Sequence, residues 1–77
     1  MTSSGWVPIN DYPGDQQYDY VPGTAEVSYW GEIGTSSNSR WSWTILATND
    51  DGDYWEAAGG AVDTEAEAKA QVENWKP

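Results

Sequence analysis

The chain has 77 residues, no cysteine and no histidine, and thirteen acids face only three basic residues for a net charge of −10. One small domain is the most that this length supports, and disulfides, thiolate metal sites and imidazole chemistry are excluded. Direct binding to nucleic acid or to an anionic membrane is excluded as well, because both need Lys and Arg against phosphate.

Leu, Ile and Val together number nine and Phe is absent, a poverty that with this charge points towards disorder. Six Trp and five Tyr point the other way, since each ring can bury ~150–250 Å². The expectation is a folded domain with an aromatic core. No apolar run approaches the ~18 residues of a membrane span. The opening MTSSGWVPIN lacks the charged and apolar regions of a signal peptide, so a cytoplasmic location in a bacterial host is expected.

Residues 1–24 hold Pro8, Pro13 and Pro22 and glycines at 5, 14 and 23. Asp11-Tyr12-Pro13-Gly14 and Val21-Pro22-Gly23 are turn chemistry, and no helix or strand period survives between them. The segment still carries Trp6, Val7, Ile9, Tyr12, Tyr18, Tyr20 and Val21. It reads as an extended arm that docks on its own domain or on a neighbour, which would allow a homo-oligomer through the arm.

Residues 25–33 alternate, with Ala25, Val27, Tyr29 and Ile33 on one face and Glu26, Ser28, Trp30 and Glu32 on the other. That is a strand. A polar loop, GTSSNS, follows, and then two further strands at 40–49 and 53–62. Asn49-Asp50-Asp51-Gly52 fits a type I turn closed by a left-handed glycine, the three-residue hairpin loop. This turn sets Asn49 against Asp53. It therefore pairs Ala47 with Trp55, Ile45 with Ala57, Trp43 with Gly59 and Trp41 with Ala61, large against small throughout. A slip of one residue would set Trp41 against Val62 and lose that match. Trp41, Trp43 and Trp55 are expected in the core.

Thr64-Glu65-Ala66-Glu67 is a capping box opening a helix, with Asp63 and Glu65 near its positive end and Lys76 near its negative end. Ala68, Val72 and Trp75 share one helix face. The predicted fold is α+β: a βββα domain at 25–77, a three-stranded antiparallel meander covered by the C-terminal helix, preceded by the irregular arm at 1–24.

From Trp41 to Trp75 the order is strand, Asn/Asp-Gly turn, small-residue strand, then T-E-A-E-A-K-A. This resembles the hairpin-plus-helix unit of small YegP-like bacterial domains and of small actinobacterial and bacteriophage proteins. The resemblance covers under half of the chain. It implies a compact, non-enzymatic domain of phage or related origin, and it brings no catalytic residues. The strand order is also similar to the later part of a double-stranded-RNA-binding domain. Asp63, Glu65 and Glu67 stand where cations should meet phosphate in that fold, so RNA binding is contradicted.

The abundant carboxylates sit in turns and at a helix start, where solvation and capping account for them, so no enzyme activity and no cofactor are expected. NDDGD is half of a calcium loop, but the closing bidentate acid would fall on Gly60 or Ala61. What remains is a surface. With Val27, Tyr29 and Ile33 turned to the helix, the opposite face carries Trp30, Leu46 and Tyr54 among Glu26, Glu32, Glu56 and Arg40, as a binding face does. The alternative occupant of that face is the arm itself.

Two functions compete. In the first, the chain binds a basic, nucleic-acid-binding host protein, by nucleic-acid mimicry through Asp50, Asp51, Asp53, Asp63, Glu65 and Glu67 together with the aromatic face. In the second, it is a virion structural or decoration protein anchored by its aromatic arm.

Overall fold

The computed structural model describes residues 5–10, 14–35 and 40–77. Five strands, β1 (Trp6–Pro8), β2 (Gln16–Tyr18), β3 (Val27–Thr35), β4 (Trp41–Asn49) and β5 (Tyr54–Val62), form one sheet in the order β1-β2-β3-β4-β5, and α1 (Glu65–Asn74) follows. Every neighbouring pair is antiparallel, so the sheet is a meander with one helix packed on one side.

The expected three-stranded sheet is corrected to five strands, because the N-terminal arm adds two. Each is three residues long, too short to show a period of two in the sequence. Pro8 lies in β1, the outermost strand, where a missing N–H costs no ladder bond. Asn10 (φ 60°) and Gly14 (φ 95°) turn the chain between the two strands, and Ile9 N–H bonds Asp15 C=O at 2.9 Å. Most of the expected Asp11-Tyr12-Pro13-Gly14 turn lies outside the described residues, as do residues 36–39 of the polar loop. The arm's docking therefore occurs within its own chain, at the edge of β3 and not across the Trp30 face. Trp6 and Val21 join Ile33, Ile45, Ala68 and Val72 in the core.

Thr24 launches β3. Its hydroxyl accepts from Val27 N at 3.1 Å, and its own N–H bonds Val27 C=O at 2.9 Å. Val27, Tyr29 and Ile33 face the helix as expected, and Gly31 falls between them directly beneath Val72.

The hairpin turn forms as expected. Gly52 has φ 83°, Gly52 N–H bonds Asn49 C=O at 3.2 Å, and Asn49 N–H bonds Asp53 C=O at 3.3 Å. The Asn49 side-chain oxygen accepts from Asp51 N at 3.1 Å and Asp53 N at 3.0 Å. Ala47 pairs with Trp55 as expected. Beyond that point the register is corrected by one residue. Leu46 pairs with Glu56 and Ile45 with Ala58, leaving Ala57 as the extra residue of a β-bulge. Trp43 then pairs with Gly60 and Trp41 with Val62, while Gly59 pairs with Thr44 on the opposite face from Trp43. The run Ala57-Ala58-Gly59-Gly60-Ala61 has no side chain large enough to mark a face in the sequence. It also absorbs the shift, since Gly60 receives Trp43 as Gly59 was expected to: a Cβ at Gly60 would lie 3.0 Å from Trp43 Nε1.

Trp41 and Trp43 pack against the core, but Trp55 is 38% exposed and is corrected to the surface. The helix explains this. Glu65 is tied to Gln16 of β2 and Glu73 to Trp6 of β1, so α1 crosses towards the N-terminal strands and leaves the turn end of β5 uncovered. Ala68 and Val72 are fully buried, and Trp75 packs on Tyr29 with ring centroids 4.9 Å apart.

The helix cap is a variant of the expected box. Thr64 Oγ1 accepts from Glu67 N at 3.1 Å, while the Glu67 carboxylate accepts from the Thr64 hydroxyl at 3.0 Å. Among the described residues no helix is long and apolar enough to cross a membrane.

Candidate functional site

Antiparallel alternation gives the sheet a second face that carries Ser28, Trp30 and Glu32 from β3, Thr44, Leu46 and Thr48 from β4, and Tyr54, Glu56 and Gly59 from β5. The helix lies on the other side, against Gly31 and Ile45. Trp30, Leu46 and Glu56 line up across three strands, and Tyr54 lies two pairs nearer the turn on the same face. The Trp30 and Tyr54 rings reach across β4 to a centroid distance of 5.8 Å, tilted by 43°. Leu46 is only 9% exposed although it points away from the helix.

The structure thus brings Trp30, Leu46 and Tyr54 together. Glu32 is locked to the cluster, accepting from Trp30 Nε1 at 3.1 Å. The Glu56 carboxylate folds along the face, 3.7 Å from the point where a Gly59 side chain would begin. That second contact depends on the bulge and was not visible in the sequence. Glu26 sits above the turn and lines a groove of ≈ 310 Å³ with Val27, Asn49, Asp50 and Asp51. Arg40, expected at the rim, is instead held at the far end of β4. It meets Asp63 at 3.3 Å and donates to Ala61 C=O at 3.3 Å.

The six acids singled out in the sequence are not one surface. Asp50, Asp51 and Asp53 stand at the hairpin tip, and Asp63, Glu65 and Glu67 stand at the helix start. The nine residues of β5 separate the two groups by about 30 Å at ~3.3 Å per residue. Their surroundings differ too. At the helix start, Asp63 pairs with Arg40, Glu65 pairs with Lys69 at 2.9 Å, and Glu67 accepts from Thr64. The Gln16 amide, followed by Lys69, holds the Glu65 carboxyl below the ordinary glutamate range against an opposing effect of burial. At the tip, Asp50, Asp51 and Asp53 are exposed, and the Asp53 carboxylate accepts a long 3.3 Å bond from the Asn49 side-chain amide. Free negative charge is therefore concentrated at the tip, beside Tyr54.

Among the described residues no three acidic side chains converge on a metal-binding geometry. A second cleft of ≈ 210 Å³ opens at the other end of the same face, between Asp15 and Glu32. Asn10 Nδ2 donates to Asp15 Oδ2 there at 3.2 Å, which ties the cleft wall to the β1–β2 connection.

Compared with known protein families, curated proteins and solved structures, the chain has no match. The class that fold and site define is a small α+β domain with one helix-covered sheet face and one aromatic face that no described element covers.

Proposed function

We propose that the chain is a non-enzymatic protein-binding module that grips a basic partner with the Trp30–Leu46–Tyr54 face, while the acids of the hairpin tip steer the encounter. The observation that carries this reading is the Trp30–Tyr54 ring pair, which shares with Leu46, Glu32 and Glu56 a sheet face that no described element covers. Large aromatics at the centre of a patch and carboxylates around it are the anatomy of a binding surface. A nucleic-acid-binding protein fits as partner, because its phosphate-binding surface supplies cations. The tip acids would then occupy part of that surface, which is mimicry in a narrow form using one acid group. Anchoring through an aromatic arm has less support, since Trp6 and Val21 are committed to the chain's own core.

The test is kinetic, on a partner retained by the immobilised protein. Replacing Asp50, Asp51 and Asp53 together with Asn should slow association and flatten the salt dependence, because exposed charges act through a field screened over ~10 Å at 0.1 M. Trp30→Ala should instead speed dissociation. If Trp30→Ala leaves dissociation unchanged, this face is not the grip. If the triple substitution leaves low-salt association unchanged, the partner is not recognised through charge.

A further inference from the structure

The two edges of the sheet are built differently. β1 is three residues long and contains Pro8, two features that stop a further strand from pairing. β5 is nine residues long, outermost in the sheet order, and holds no proline, no lysine and one charged residue, Glu56. Most of it is exposed. From Ala57 to Ala61 the strand's own side chains are only Ala and Gly, so none of them is long enough to shield the edge. The bulge at Ala57 divides this edge into Tyr54–Glu56 and Ala58–Val62 but covers neither run. Among the described residues no further strand pairs with this edge, although Arg40 donates to Ala61 C=O at 3.3 Å near its last end.

The charge along this edge is polarised. Its first end adjoins the exposed Asp50, Asp51 and Asp53, whereas at its last end Asp63 is neutralised by Arg40 and Glu65 by Lys69. A second copy of the chain suits the edge poorly. Each copy carries −10, so two copies repel one another on approach. We infer that the β5 edge accepts an extended basic segment of a partner protein as a sixth, antiparallel strand. The segment's cations lie at its C-terminal end, beside the tip acids and Glu56, and small or β-branched residues run along Ala58–Val62. Main-chain hydrogen bonds supply the attachment and the charge gradient fixes direction. The inference rests on the basic partner proposed above, but it places the contact on the sheet's edge and not on its face.

The probe is a blocked peptide of β5's own length, alternating Thr and Val and ending in Lys-Lys. Two controls accompany it: the same peptide N-methylated at alternate residues, and one ending in Glu-Glu. Titration into isotope-labelled protein should shift and protect amides of Tyr54–Val62. The N-methylated peptide should bind roughly tenfold more weakly or worse, through the loss of main-chain donors. The Glu-Glu peptide should bind more weakly still at low salt, Ala61→Lys should weaken the Lys-Lys peptide, and Trp30→Ala should leave its affinity within about twofold. Equal binding of the N-methylated peptide, or shifts confined to Trp30 and Leu46, would overturn the edge inference and leave the face reading standing. A dimer dispersed by Ala61→Lys would overturn it in favour of a second copy. Loss of the face reading alone would show as intact peptide binding to β5 with partner dissociation indifferent to Trp30→Ala.

Discussion

Val72 of α1 sits on Gly31 of β3: its Cβ and Cγ2 would each lie 3.2 Å from a side-chain carbon added at residue 31, and its Cγ1 closer still. The helix approaches the sheet at this point because position 31 has no side chain. Val72 is fully buried and β-branched, so it has no free rotamer to yield. Gly31→Ala should destabilise the protein by about 1–3 kcal/mol through overpacking, read by urea unfolding. In a Val72→Ala background the same substitution should cost clearly less. Strict additivity of the two changes would show that the residues do not meet.

The N-terminal strands are held by a tie between the two ends of the chain. Trp6 Nε1 donates to Glu73 Oε2 at 2.7 Å, the Trp6 ring packs on Tyr18 at 5.0 Å, and Lys69 Nζ lies 5.6 Å from the Trp6 ring centroid. Trp6→Ala should cost about 3–5 kcal/mol, and Glu73→Gln about 1 kcal/mol. Deleting the segment through Gly23 should abolish cooperative unfolding. A sharp transition in the truncated chain would mean that β3–β5 and α1 suffice by themselves.

Thr64 holds both halves of its cap through one oxygen, accepting from Glu67 N and donating to the Glu67 carboxylate. Thr64→Ala should lower stability by about 1 kcal/mol, and Thr64→Ser should restore most of it. Equal unfolding midpoints for the Ala and Ser variants would place the cap elsewhere.

Glu65 links pH to the contact between α1 and β2. Its carboxyl is held below the ordinary range first by the Gln16 amide and then by Lys69. A folded value below the unfolded one means that the stabilisation is present above the ordinary glutamate range. It is lost as pH falls through the lowered folded value. Gln16→Ala should raise the Glu65 titration midpoint measured by carboxyl carbon shifts, and acid unfolding should begin at higher pH. An unmoved midpoint would remove Gln16 as the principal cause.

Features that depend on neighbouring residues are legible in the chain before any fold is known. Gly52 is the residue that accepts positive φ, so Asn49-Asp50-Asp51-Gly52 is a turn wherever it sits. Thr64 with Glu67 starts a helix because the Thr64 hydroxyl accepts the exposed Glu67 N–H and donates to the Glu67 carboxylate. Alternation in Val27–Ile33 set Trp30 apart from Tyr29, and this, with Leu46 and Tyr54 from the other strands, made the open face legible. The other features follow from long-range contacts. Gln16–Tyr18 has no period to read and becomes a strand because β3 offers it an unpaired edge. Ala57 and Gly59 carry nothing that distinguishes in from out, so the bulge and the one-residue register shift are settled by how Trp43 fits over Gly60. Trp55 is as apolar as Trp43, yet it lies outside because α1, pulled by Gln16 and Trp6, crosses away from it. Local chemistry selects elements over a few residues, whereas edge pairing, bulge position and helix crossing depend on contacts between residues as distant in sequence as Trp6 and Glu73.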